Sequence, residues 1–259
     1  MIGNRLPTAV LVALLALGAV AVPAHADASV GGAEPGVLTL PDGTPLVVRL
    51  GNPLVHASGG GMAVAVRSTA LLRGRVRIAG TAAPGTGSVS IERRDDSAGW
   101  VLVATAAVAA DGRFAATWRP NRLGPLQLRV VSGIPAAADV AQDDPSAPQL
   151  SVTVYRPGIA SWYGPTAPEQ TTACGVPLEA WTLGVAHRTL PCGTPVALYY
   201  KGHALVVPVI DRGPFVKGRS WDLTQETYTA LGGDDGLIRV GALPLPAAPT
   251  QPPAAARVR

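Results

Sequence analysis

Val206-Val207-Pro208-Val209-Ile210-Asp211-Arg212-Gly213-Pro214-Phe215 is the stretch on which the reading of this chain turns. It opens as an apolar run, the pattern of a buried β-strand. It stops on a carboxylate followed closely by Gly-Pro, a pair that marks a turn. Asp211 is therefore expected at the mouth of a buried strand, partly out of water and suited to giving up a proton. The other reading of Asp211 is a turn residue that bonds its own loop. If the strand runs on, Arg212 points to the opposite face and could bind a substrate carboxylate or N-acetyl oxygen.

Around this stretch the pattern stays β. Short β-like runs cover 195–200, 204–210 and 237–240. One helix is expected after Thr224, whose hydroxyl can cap it, with Glu226 at the positive end of the dipole. Tyr228 and Leu231 would share a face of that helix, and Gly232-Gly233 would end it. Residues 37–155 alternate apolar and polar, as in Arg75-Val76-Arg77-Ile78 and Gln127-Leu128-Arg129-Val130. Such half-buried strands suit antiparallel sheets, and about seven of them imply a β-sandwich. Asp111-Gly112 and Pro41-Asp42-Gly43 read as hairpin turns. Trp100 and Trp118 are expected in the core between the sheets, with carbohydrate stacking as the alternative. This region resembles bacterial immunoglobulin-like modules in a generic way. Residues 155–158 read as a short linker, 134–148 as a long loop, and 241–259 as a disordered Pro/Ala-rich tail.

Composition limits the rest. The chain has 259 residues, which suggests about two domains. Its net charge is +4, and all but two of its 21 basic residues, Lys201 and Lys217, are arginine. No stretch of sequence concentrates them, which argues against a nucleic-acid partner and for something weakly anionic. Residues 1–26 read as a secretory signal, with Arg5, an apolar run over 8–22 and Ala24-His25-Ala26 as cleavage site. The other reading is an uncleaved anchor. Release outside the membrane is expected, with no membrane contact after cleavage. Two cysteines exclude a four-cysteine metal site, and no metal or cofactor is expected. In an oxidising compartment Cys174 and Cys192 are expected to pair.

Five blocks stand in order: Ala160-Ser161-Trp162-Tyr163-Gly164, Thr172-Ala173-Cys174-Gly175, Ala186-His187-Arg188-Thr189-Leu190-Pro191, Asp211-Arg212-Gly213-Pro214-Phe215 and Gly218-Arg219-Ser220-Trp221-Asp222-Leu223. Together they resemble the rare lipoprotein A (RlpA) family over about 159–231. The resemblance implies a six-stranded double-psi β-barrel (159–240), so with the immunoglobulin-like β-sandwich expected over 37–155 the whole chain is expected to be mainly β. It also implies a secreted lytic transglycosylase acting on peptidoglycan glycan strands and leaving 1,6-anhydromuramyl ends. On that reading Asp211 protonates the leaving oxygen and later takes the hydroxyl proton, while His187 orients it or stabilises charge. Trp162 and Tyr163 would stack on sugar or pack the first strand. Thr172, Glu179 and Arg212 are the other expected substrate contacts.

The chain departs from the family at Val176, where an acid usually follows the glycine; Glu179 is the nearest carboxylate. Tyr199-Tyr200-Lys201-Gly202 also replaces an Asn-rich turn. These departures keep a second reading open, a non-catalytic glycan-binding or wall-loosening protein like the expansins. Oligomeric state is not legible.

Overall fold

A computed structural model describes residues 52–134, 144–166, 170–234 and 236–246. The expected signal, the Pro41-Asp42-Gly43 turn and most of the 134–148 loop lie outside them, as does the tail from 247. No helix among the described residues is long and apolar enough to cross a membrane.

Nine strands come first: β1 (Leu54–Gly59), β2 (Met62–Arg67), β3 (Thr69–Leu71), β4 (Val76–Thr81), β5 (Ser88–Asp95), β6 (Gly99–Ala107), β7 (Arg113–Trp118), β8 (Gly124–Ser132) and β9 (Gln149–Tyr163). β1-β2-β4-β7 form one antiparallel sheet, and β9-β8-β5-β6 form one end of a second, longer sheet. Alternation puts Val64, Val66, Ile78 and Trp118 from the first sheet and Ile91, Leu128, Val130 and Val152 from the second into one buried cluster.

Two local expectations are corrected here. Asp111-Gly112 does make a turn, with the Gly112 amide donating to the Ala109 carbonyl at 2.8 Å. The strands on either side do not pair with each other: β6 joins β5 and β7 joins β4. The turn carries the chain from one sheet to the other. Trp118 is in the core, but Trp100 is buried on the opposite side of its sheet, beneath the Arg129 guanidinium at 4.5 Å. Arg129 in turn pairs with the fully buried Glu92 at 2.6 Å.

The expected linker at 155–158 is strand. β9 runs for 15 residues without a break. Its first part pairs with β8, and its second part enters the next set of strands. Tyr155 stacks on Tyr199 at 5.7 Å across this joint. The remaining elements are β10 (Val185–Ala186), β11 (Pro195–Tyr200), β12 (His203–Asp211), β13 (Trp221–Thr224), α1 (Gln225–Ala230) and β14 (Ile238–Pro244). From β9 the order runs β14-β11-β12-β10-β13 and returns to β9, so six strands close into a ring. Val185, Leu198, Val207, Val209, Leu223 and Val240 pack in its core.

The helix begins where its sequence signals place it. The Thr224 hydroxyl accepts from the Thr227 amide, a cap worth about 1 kcal/mol. Gly232 takes the left-handed conformation (φ 75°) just past its end, and His203 Nδ1 lies 2.8 Å from the Leu231 carbonyl. Residues 241–244, expected in the tail, instead complete β14 and pair with β11. Gly241 allows this: a Cβ there would lie 2.7 Å from the Cβ of Tyr155.

Candidate active site

β12 delivers Asp211 to one end of the ring. An irregularity in the parallel pairing of β10 with β12 sets Val185 opposite Val209 but Ala186 opposite Asp211. The extra residue, Ile210, re-aims the end of the strand beyond it, as bulges do. Ala186 also faces Asp222 on β13, and Asp222 faces Ser161 on β9. Asp211, Ala186, Asp222 and Ser161 thus form a row across four strands. Ala186 separates the two acids in this row, and their Cα atoms are about 10 Å apart at two strand spacings.

Each acid has its own surroundings. Asp211 Oδ1 accepts from the amides of Ala173 (2.9 Å) and Arg212 (2.8 Å). Asp222 is half-buried, and burial is the main reason its carboxyl is held above the ordinary carboxylate value. The nearby Asp211 pushes the same way; the Ser161 hydroxyl, close by though without a partner in strict hydrogen-bond geometry, and the Arg219 cation push back. The Tyr163 hydroxyl is buried and has no partner in strict hydrogen-bond geometry. It nonetheless lies close enough to both acids for them, after burial, to raise its phenol well above the usual value.

His187 directly succeeds β10 in the chain. Its amide donates to the Asp211 carbonyl at 3.1 Å. Its ring does not bond Asp211; Nδ1 accepts from the amides of Thr189 (3.2 Å) and Leu190 (3.0 Å) and the ring rests against Trp221. Two donors aimed at Nδ1 put the proton on Nε2. Burial first, then the cations of Arg188 and Arg212, hold its pKa below the ordinary histidine value. His187 is therefore a neutral donor through Nε2–H at neutral pH.

The loops around the row are tied to one another. Cys174 and Cys192 form a disulfide with Cα atoms 5.7 Å apart. Arg212 donates to the carbonyls of His187 (3.3 Å) and Leu190 (2.9 Å) and to Cys192 Sγ (3.1 Å). Those contacts commit Arg212 to the loop rather than to an open face. Arg188 does the reverse, bonding the carbonyls of Pro214, Val216 and Arg219. Thr172 is buried, and its hydroxyl accepts from the Val176 amide, closing the turn that presents Ala173 to Asp211. Glu179 sits exposed on the next loop, its amide bonded to Thr182. Trp162 is 45% exposed and leans on Tyr228. Trp181 and Phe215 are exposed at 73% and 81%, while Trp221 is core. Asp222 and Ser161 were missed as site residues; their signal was the position of each within a recognised block.

Residues 156–242 match a family model described as lytic transglycolase, of the double-psi β-barrel class. The chain is 38% identical over 104 residues to a probable endolytic peptidoglycan transglycosylase RlpA of Synechocystis, covering 39% of this chain and 32% of that protein. It is 39% identical over 95 residues to the Aquifex aeolicus protein of the same description, covering 36% and 40%. The endolytic peptidoglycan transglycosylase RlpA of Pseudomonas aeruginosa is 36% identical over 97 residues, covering 36% and 28%. Among solved structures, the Streptomyces papain inhibitor overlaps 33% of this chain and 91% of its own at 26% identity and TM-score 0.28. Residues 156–242 thus fall in the double-psi β-barrel class of domain. Within that class this segment is RlpA-like, and the chain spans about a third of the length of the curated relatives it matches.

Proposed function

We propose that this protein is a secreted lytic transglycosylase that cleaves the MurNAc–GlcNAc bond of peptidoglycan and leaves 1,6-anhydroMurNAc ends. Its architecture, on this reading, is a cleaved signal (1–26), an immunoglobulin-like sandwich (37–155) and a six-stranded double-psi barrel. The observation that carries it is the row Asp211–Ala186–Asp222, two carboxylates at the end of the ring in unlike surroundings. Unlike surroundings are how one fold holds an acid and a base side by side.

Asp222, whose carboxyl burial holds above the ordinary carboxylate value, donates to the glycosidic oxygen as the C1–O bond breaks. Asp211 takes the proton of the sugar's C6 hydroxyl as the O6–C1 bond forms. No water is consumed. Tyr163, close to both acids, returns the proton from Asp211 to Asp222 for the next turnover. His187 steadies the sugar through Nε2–H, and Trp162 offers a face to a ring. Thr172, Arg212 and the disulfide hold Asp211 and His187 in place rather than touch substrate. The refinement over a single acid–base at Asp211 is the second carboxylate.

Val176 supports a second reading, a glycan binder without cleavage, since it removes one acid from the expected set. The Asp211→Asn variant, checked for an unchanged fold, decides between them: cleavage by the wild type and none by the variant is expected. Wild-type binding without release supports the second reading. Anhydro products from the variant at the wild-type rate exclude Asp211 as the base.

A further inference from the structure

The outward face of the sheet β1-β2-β4-β7 carries charge of one sign. Inward residues of these strands fill the core, so alternate positions face out. Register arranges them in rows. His56, Ala65, Ala79 and Ala115 form a middle row. To one side, one step beyond the Val66–Ile78 pair, Arg67 comes opposite Arg77. To the other side Arg113 faces Thr81. Arg77 and Thr81 are four residues apart along β4, so the two arginine positions are about 13 Å apart.

No Asp or Glu occurs in any of the four strands. Arg67 and Arg77 are like charges side by side, an arrangement that weakens a sheet and persists here without a carboxylate between them. Among the described residues Arg67 bonds a neutral carbonyl, that of Asn52 at 2.5 Å, and no carboxylate. Arg113 has Asp111 at 3.6 Å, an exposed pair that neutralises little. Over the alanine floor lie two hollows of about 470 Å³ each, one beside His56 and one between Arg77 and Arg113. These arginines are scattered in sequence, and only sheet register gathers them.

We infer that this face binds a linear phosphodiester-linked polyol, an anionic polymer of the cell wall. A guanidinium fork matches a phosphate, and small side chains let a slender chain lie between two lines of charge. The outward positions of these strands hold no Phe, Tyr or Trp, so the face lacks the platforms on which nucleic-acid bases stack. It also lacks an apolar ridge to enter a bilayer. The inference is independent of the cleavage chemistry, because none of these residues belongs to the ring.

The test titrates lipid-free poly(glycerol phosphate) into the full chain between about 50 and 200 mM salt. It compares wild type, R67Q/R77Q and a charge-matched control, R156Q/R239Q, on β9 and β14. At low salt R67Q/R77Q is expected to lose about tenfold or more in affinity. Its log–log salt slope should flatten by roughly 1.4, about 0.7 per lost contact, while the control stays within about twofold of wild type. R113Q alone should flatten the slope by about half as much, which keeps the test intact if the double variant unfolds. The inference is overturned if wild type does not bind, or if variant and control lose equally. Tighter binding at equal phosphate to phosphatidylglycerol vesicles or single-stranded DNA also overturns it.

Discussion

Replacing Cys174 and Cys192 by serine opens the staple between the two loops that frame Asp211. The cysteines are 18 residues apart in sequence. In the chain-entropy account a closed loop of that size restricts the unfolded chain by about 3 kcal/mol. For a folded unit of this size, about 2–4 °C per kcal/mol gives a fall in Tm of about 6–12 °C. Catalysis should suffer beyond stability. The Ala173 amide that holds Asp211 is next to Cys174, and the Arg212 guanidinium touches Cys192 Sγ. Calorimetry of wild type with and without reductant, beside the double-serine variant, measures the first effect. Peptidoglycan turnover well below the variant's melting range measures the second. A drop below about 2 °C in both reduced wild type and variant refutes the entropy argument. Full turnover by a folded variant refutes the idea that the staple positions Asp211.

The same geometry sets other outcomes. Asp222→Asn should abolish cleavage yet stabilise the fold at neutral pH. A carboxyl raised on folding binds more protons folded than unfolded, so it costs stability as pH rises from its ordinary value through its folded one; matched denaturant curves at pH 3 and pH 7 read this, and no gain at pH 7 contradicts it. His187 has the opposite sign. Its value falls on folding, so stability and activity drop as pH falls from the ordinary histidine value through the folded one. With Asp222 required protonated, the rate should fall as pH rises through its raised value; a rate that stays level through that rise contradicts its role as the acid. Glu92→Ala leaves Arg129 buried without its carboxylate and should cost about 3–5 kcal/mol by denaturant titration, whereas an exposed charge such as Arg239→Ala should cost almost nothing.

Much of this was legible because local chemistry and global fold agree. The 195–200 run is β11 to the residue, and Thr224 caps α1 as its spacing promised. Asp211 stands at a strand end because an apolar run meets Gly-Pro. What escaped was set by pairing across distance. Nothing near Asp111 reveals that its flanking strands belong to different sheets, since a turn looks the same in either case. Residues 155–158 contain Pro and Gly and read as a break, yet Pro157 sits opposite Gly241 in β14 without interrupting β9. Arg212 looked free because its partners are carbonyls of another loop, and side-chain alternation says nothing about them. Asp222 acquires its partner through Ala186, and neither residue is near Asp211 in sequence.

The most direct measurement is mass spectrometry of sugars released from purified peptidoglycan in water enriched in ¹⁸O. Attack by the sugar's own C6 hydroxyl predicts muramic ends lighter by one water than the hydrolysed form, carrying no solvent oxygen. Reducing ends labelled with ¹⁸O would mean that water is the nucleophile, and would contradict the assignment of Asp211 and Asp222 to a transglycosylase.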